Sequence, residues 1–252
     1  MSDYVDAILN VPGSRGKLNE FFQAIIEDGQ VRDSVLAEVG QSPPTPGAVS
    51  ATSLVSDTIA SGSWSKTVDV PAGQDQILFV LFSSDFFVNA TAGGSSMSLV
   101  LDNSDTTYGK QKQRLFCMLN PAPGSITVVG TPQQPTHVRG HIFVVSGVAQ
   151  EIPSVTDAKQ SAAFPAPDCQ VSTPEDSWAL LSVMVPFVGQ NFSGVDPAFT
   201  LIADADPLEK YKTTVAFLDD AGTSGAKTVS FPAGPGSTGA ELHYGVVALR
   251  PA

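Results

Sequence analysis

Two apolar periodicities divide this chain. Near the N-terminus, Leu18, Phe21, Phe22, Ile25 and Ile26 recur at the spacing of a helix face, with Lys17, Glu20, Gln23 and Glu27 filling the other side. Gly29 suits the C-terminal end of that helix, and Val31, Val35 and Val39 continue as a second stripe. Tyr4, Ala7 and Ile8 predict a shorter helix ended by Pro12-Gly13. Residues 1–40 are therefore expected to form a small helical module. Residues 41–53 read as a spacer, because Pro43-Pro44-Thr45-Pro46 favours extended polyproline geometry and blocks helix.

From Leu54 the period becomes two. Lys66–Val70 alternates up to Pro71-Ala72-Gly73, and Ile77–Phe82 is an unbroken apolar run of the kind found in strands covered on both faces. Met97–Leu101 alternates up to Asp102-Asn103-Ser104-Asp105, which reads as a turn. Strands are expected over 114–119, 125–129, 141–145, 178–185, 199–202, 213–218, 227–231 and 242–249, with a loop-like stretch from Pro153 to Pro174. Many short strands with no helical pattern between them predict a mainly β fold, an antiparallel β-sandwich over residues 54–252. Alternation places Ile77, Phe79, Leu81, Leu180, Val183, Val215, Phe217, Val246 and Leu249 in its core.

One octapeptide pattern occurs twice, as KTVDVPAG from Lys66 and KTVSFPAG from Lys227. Each copy precedes an apolar strand. The echo marks either two related halves or the shared look of turn-bounded strands.

Composition narrows the function classes. The 252 residues carry 25 acidic and 13 basic side chains, a net charge of −12, which argues against a nucleic-acid surface. The Met1–Asp6 segment lacks the basic-then-apolar order of a signal peptide, and no apolar run approaches a bilayer span, so cytoplasmic synthesis and no membrane partner are expected. Cys117 and Cys169 are too few for a disulfide framework. Reduced thiols are expected, with a single bridge as the alternative.

Gly234–Gly239 spells G-x-G-x-x-G, yet a strand and then the last residues follow it, leaving no room for the βαβ unit of a dinucleotide site. His137 and His141 have helical ligand spacing, but on a strand four residues span roughly 13 Å. One metal ion cannot bridge that, so edge or surface histidines are expected. The acidic groups Asp102/Asp105, Asp204/Asp206/Glu209 and Asp219/Asp220 could ligate calcium, with turn chemistry as the competing reading. No nucleophile elbow is present, and carboxylate pairs that meet only in the fold stay open. Trp178 is expected in the core and Trp64 as the more exposed ring, the better sugar-stacking candidate.

The succession KTVDVPAG, ILFVLF, Asn120-Pro121-Ala122-Pro123-Gly124-Ser125-Ile126-Thr127-Val128 and Val145–Gln150 resembles the β-sandwich sequences of tailed-bacteriophage virion proteins. That resemblance implies a jelly-roll-type sandwich used for display or adhesion, with no catalytic residues to carry over; the lack of a dense Cys/His cluster and the strand spacing of His137 and His141 leave no metal or cofactor expected. The resemblance points to a capsid decoration protein at the virion surface, partnered with the major capsid protein or another virion protein. Family analogy favours a homotrimer. The helical module and its spacer resemble docking segments, making Leu18, Phe21, Phe22, Ile25 and Ile26 the partner-binding residues. A tail or receptor-binding protein with a carbohydrate-binding sandwich is the alternative, and a β-sandwich hydrolase the third reading.

Overall fold

A computed structural model describes residues 49–104, 112–161, 169–173, 178–185, 199–204, 212–218, 225–229 and 242–252. These belong to one compact unit, Gly47–Ala252. The described residues are all strand and connection, and every sheet is antiparallel. The helical module of residues 1–40, with Leu18, Phe21, Phe22, Ile25 and Ile26, lies outside the described residues.

The first nine strands are β1 (Ser50–Ile59), β2 (Trp64–Val70), β3 (Ile77–Ser84), β4 (Val88–Ala92), β5 (Ser95–Ser96), β6 (Ser98–Ser104), β7 (Lys112–Leu119), β8 (Gly124–Pro132) and β9 (Val138–Ser146). They make two sheets, one ordered β1-β9-β3-β7-β6 and one ordered β2-β8-β4-β5. Every residue of β3 is buried, because its sheet is covered on both faces. Leu78, Val80 and Phe82 pack with Trp64, Val68, Val88 and Val128 of the four-stranded sheet. Ile77, Phe79 and Leu81 turn the other way and join Val215, Val247 and Leu249 from the remainder of the chain. Strands with only one covered face alternate instead: Trp64, Val68 and Val70 of β2 are buried and Ser65, Thr67 and Asp69 exposed.

Seven strands follow: β10 (Ser154–Ser161), β11 (Cys169–Thr173), β12 (Trp178–Val185), β13 (Phe199–Asp204), β14 (Lys212–Leu218), β15 (Gly225–Val229) and β16 (Leu242–Leu249). Their five-stranded sheet is ordered β10-β16-β12-β14-β13, and β11 pairs with β15. This is the arrangement of the first half repeated, with β10, β16, β12, β14 and β13 in the places of β1, β9, β3, β7 and β6. The registers agree residue by residue. Leu81 faces both His141 and Leu115, and Ser182 faces both Gly245 and Val215. A bulge between Ser53 and Val55 opposite Phe143 and Ile142 reappears between Val155 and Asp157 opposite Val247 and Val246. A second, between Leu99 and Leu101 opposite Phe116 and Leu115, reappears between Leu201 and Ala203 opposite Ala216 and Val215. Bulges are built features of a ladder, so two shared bulges in one register identify a duplicated unit.

The two five-stranded sheets meet through equivalent faces. Leu115 and Val215, Phe143 and Val247, and Val145 and Leu249 are three equivalent pairs within one buried cluster. β1 approaches β13 while its counterpart β10 approaches β6, the exchange of edges that a twofold relation produces. At one end, Val148 bridges Pro251 and the Ala149 amide donates to the Arg250 carbonyl at 2.8 Å, tying the ends of the equivalent strands β9 and β16.

Several expectations change. Residues 50–53, assigned to the spacer, are strand paired with β9. Within the expected Pro153–Pro174 loop lie β10 and β11. Asp102, Asn103 and Ser104 are in strand β6 rather than a turn, held by pairing with Arg114, Gln113 and Lys112. The octapeptide echo relates β2 to β15, which are not equivalent: β2 corresponds to β11 and β15 to β8. Two related halves exist, and that echo is not what records them. Of the expected core, Ile77, Phe79, Leu81, Val215, Val246 and Leu249 are buried; the side chains of Leu180, Val183 and Phe217 lie outside the described set.

Candidate functional site

The densest polar group in the described residues lies inside the molecule. Where β3 ends, Asn103, Gln113, Ser83, Arg139 and Thr58 are successive ladder partners, so one polar rank crosses all five strands of the central sheet. Asn103, Gln113, Ser83 and Arg139 are buried. Arg139 donates through Nη1 to Thr58 Oγ1 at 2.9 Å, through Nη2 to Ser56 Oγ at 2.7 Å and through Nε to His141 Nε2 at 3.3 Å. That leaves Nδ1 of His141 to carry the proton, and this atom makes no hydrogen bond; neither amide atom of Gln113 makes one either.

His141 is fully buried, which corrects the expectation of an edge or surface histidine. β9 runs between β1 and β3, and the opposing repeat covers the face that carries His141. Burial, assisted by the Arg139 charge, pushes its pKa down to about 3, so the imidazole is neutral at physiological pH. A neutral ring sealed from solvent beside a guanidinium has no route for proton exchange with a substrate. The group therefore acts in the structure, by fixing how β1 and β9 are held. At the equivalent register positions of the second repeat stand Thr213 for Gln113, Met184 for Ser83, His243 for Arg139, Gln160 for Thr58 and Ala158 for Ser56, so the Arg139 guanidinium with its two hydroxyl acceptors belongs to the first repeat.

A second cluster lies on the opposite side of the central sheet. Arg114 binds Asp102 through Nη2 at 2.6 Å and Nε at 3.1 Å, and its guanidinium carbon lies 4.2 Å from the Phe87 ring centroid. Lys112 Nζ is 5.1 Å from the same centroid. Asp102 pairs with the Arg114 charge, and the Phe87 ring packs against both cations. Asp57 is held below the usual carboxylate range by its bond to Lys66 of β2, which pins β1 to the neighbouring sheet.

The outer face of the four-stranded sheet presents Ser65, Thr67, Asp69, Asn89, Ser125, Thr127 and Thr131 to solvent. Thr67 and Thr127, directly opposite, share a hydroxyl hydrogen bond of 2.8 Å. The expected sugar-stacking ring is not on it: Trp64 is fully buried, edge-on to Phe82 at 5.4 Å, with Nε1 donating to the Asp57 carbonyl at 3.2 Å. At the end of the β1–β2 hairpin its position in β2 points inward, where Gly140 leaves room for the indole.

The other sequence candidates are dispersed. His137 is half-buried just before β9. Asp204 lies in β13, while Asp105, Asp206, Glu209, Asp219, Asp220 and the Gly234–Gly239 loop lie outside the described residues. Among the described residues no three His, Cys, Asp or Glu side chains gather as a metal set, and no helix is long and apolar enough to cross a membrane. Cys117 is a free, buried thiol, and burial pushes its pKa up to about 11. Sequence reasoning missed the polar rank; its trace is Arg139-Gly140-His141 opening a strand and Ser83-Ser84 closing one. No family model and no curated protein matches this chain.

Proposed function

We propose that this chain is a virion structural protein, a decoration protein on the outer surface of a bacteriophage head. The observation that carries the reading is how the described polar groups are used. Arg139, Arg114 and Lys66 each tie strands together, and the outer face of the four-stranded sheet carries mostly hydroxyls, with Asp69 and Asn89 among them. Such a molecule suits a rigid displayed body. The strand orders β1-β9-β3-β7 and β2-β8-β4-β5 support a jelly roll of two Greek keys, with β6 added at one edge, as the unit that is duplicated. The acidic balance favours solubility in a crowded surface lattice.

In this reading the residue 1–40 module is the anchor, and the stripe Leu18, Phe21, Phe22, Ile25 and Ile26 contacts the major capsid protein. Isolated helices this short need tertiary cover, which a capsid surface would provide. Co-sedimentation of the purified chain with intact heads and with isolated tails tests it. Saturable binding to heads that is lost in Phe22→Asp/Ile25→Asp, with an unchanged melt of the β domain, is the expected result. Binding to tails or to a glycan array instead supports the receptor-binding alternative, and turnover in a glycosidase or esterase screen supports an enzyme; either result overturns the decoration role.

A further inference from the structure

The duplicated sheets allow one edge to be compared with its own counterpart. β1 and β10 are equivalent outer strands, each paired on one side only among the described strands and each carrying the same bulge. Ser53 of β1 and Val155 of β10 hold the same register position, and counting back along the chain from Val155 matches Ile152, two residues before β10, to Ser50. Both serines are exposed, and so are Val155 at 42% and Ile152 at 54%. Where one repeat shows water two hydroxyls, the other shows it two large apolar side chains. Leu99, 44% exposed, is the third such residue among the described ones, and it lies on β6, the strand that β10 approaches.

Charge separates the two edges further. Beyond the bulge β10 reads Asp157-Ala158-Lys159, whereas the corresponding positions of β1 read Val55-Ser56-Asp57, whose one charge is already engaged by Lys66. Antiparallel pairing of β10 with another β10 about an axis at Ala158 sets each Asp157 opposite Lys159 of the second copy. Two opposite-charge cross-strand pairs result, by symmetry. No such pairs arise if β1 pairs with itself. An outer strand also carries an unpaired row of N–H and C=O groups that a second strand satisfies.

We propose that the β10 edge joins two copies of this chain into a twofold dimer, the paired strands uniting two five-stranded sheets. Each copy spends its β10 edge once, so the contact closes at two. This inference is independent of where the protein resides, since it concerns the free chain.

Sedimentation velocity of the full chain over a concentration series should show a monomer–dimer equilibrium. Lys159→Glu sets like charges opposite each other at both sites and should raise the dimer dissociation constant about tenfold or more. The exchange Asp157→Lys/Lys159→Glu should restore it, which a change acting only through the monomer fold would not do. Ala158→Cys in a Cys169→Ser background should cross-link on mild oxidation, because directly opposed Cα atoms lie about 4.5–5.5 Å apart, within disulfide reach. A chain that stays monomeric, forms the trimer of the virion resemblance, or dimerises equally well with Lys159→Glu overturns the proposal. So does a charge exchange that fails to rescue.

Discussion

Gly140 provides a sharp test of the core geometry. It lies in β9 with its backbone outside the left-handed region, so an alanine meets no conformational penalty there. Removing a strand glycine would by itself stabilise by about 0.5–1 kcal/mol. The added methyl, however, would lie 2.7 Å from Cε2 and Cζ2 of Trp64 and 3.0 Å from Cε1 of Phe82. Both rings are almost fully buried and edge-on to each other, so neither can swing aside. Steric cost should win: Gly140→Ala is expected to destabilise by about 1–3 kcal/mol, lowering the melting temperature by about 2–12 °C. Urea unfolding followed by far-UV circular dichroism measures this, with an unchanged slope reporting an intact two-state transition. Trp64→Phe supplies the control, since the smaller ring vacates the volume the methyl needs. The double variant should be at least about 1 kcal/mol more stable than additivity predicts. A neutral or stabilising Gly140→Ala, or strict additivity with Trp64→Phe, would refute this account of the site.

Other consequences follow from burial. His141 has a folded pKa far below that of the unfolded chain, so the unfolded state takes up its proton first as pH falls. Stability should therefore drop by about 1.4 kcal/mol per pH unit between roughly pH 6.5 and 3; His141→Asn should flatten that part of the stability–pH curve, and an unaltered curve would remove His141 as its origin. In a Cys169→Ser background, Cys117 should resist thiol reagents at pH 8 until the protein is unfolded in urea, and rapid native labelling would contradict its burial. Phe79→Ala opens the stacked pair with Phe143, whose centroids are 5.3 Å apart, and should cost about 3–5 kcal/mol in the same urea assay. A loss below 1 kcal/mol would show that the two repeats are not packed through this cluster.

Sequence alone determined what depends on near neighbours. The unbroken run Ile77–Phe82 identified a strand covered on both faces, because only such a strand has no solvent side to fill with polar residues. The alternation of Lys66–Val70 identified a half-covered one. Strands with weak patterns escaped: β1 and β10 are the outer strands of their sheets among the described residues, rich in Ser, Thr and Asp, and an edge position demands little of their composition. Tertiary structure decided everything that depends on which strands become neighbours. Trp64, amid serines and glycine, reads as exposed until β9 brings Gly140 beneath it. His141 reads as peripheral until β1 supplies Ser56 and Thr58 to Arg139 and the second repeat closes over the sheet. The duplication itself is invisible as an octapeptide, because the halves share register, bulges and strand order rather than side chains. Ladder geometry tolerates Leu81 in one copy and Ser182 in the other, since backbone hydrogen bonds, not residue identity, hold that register.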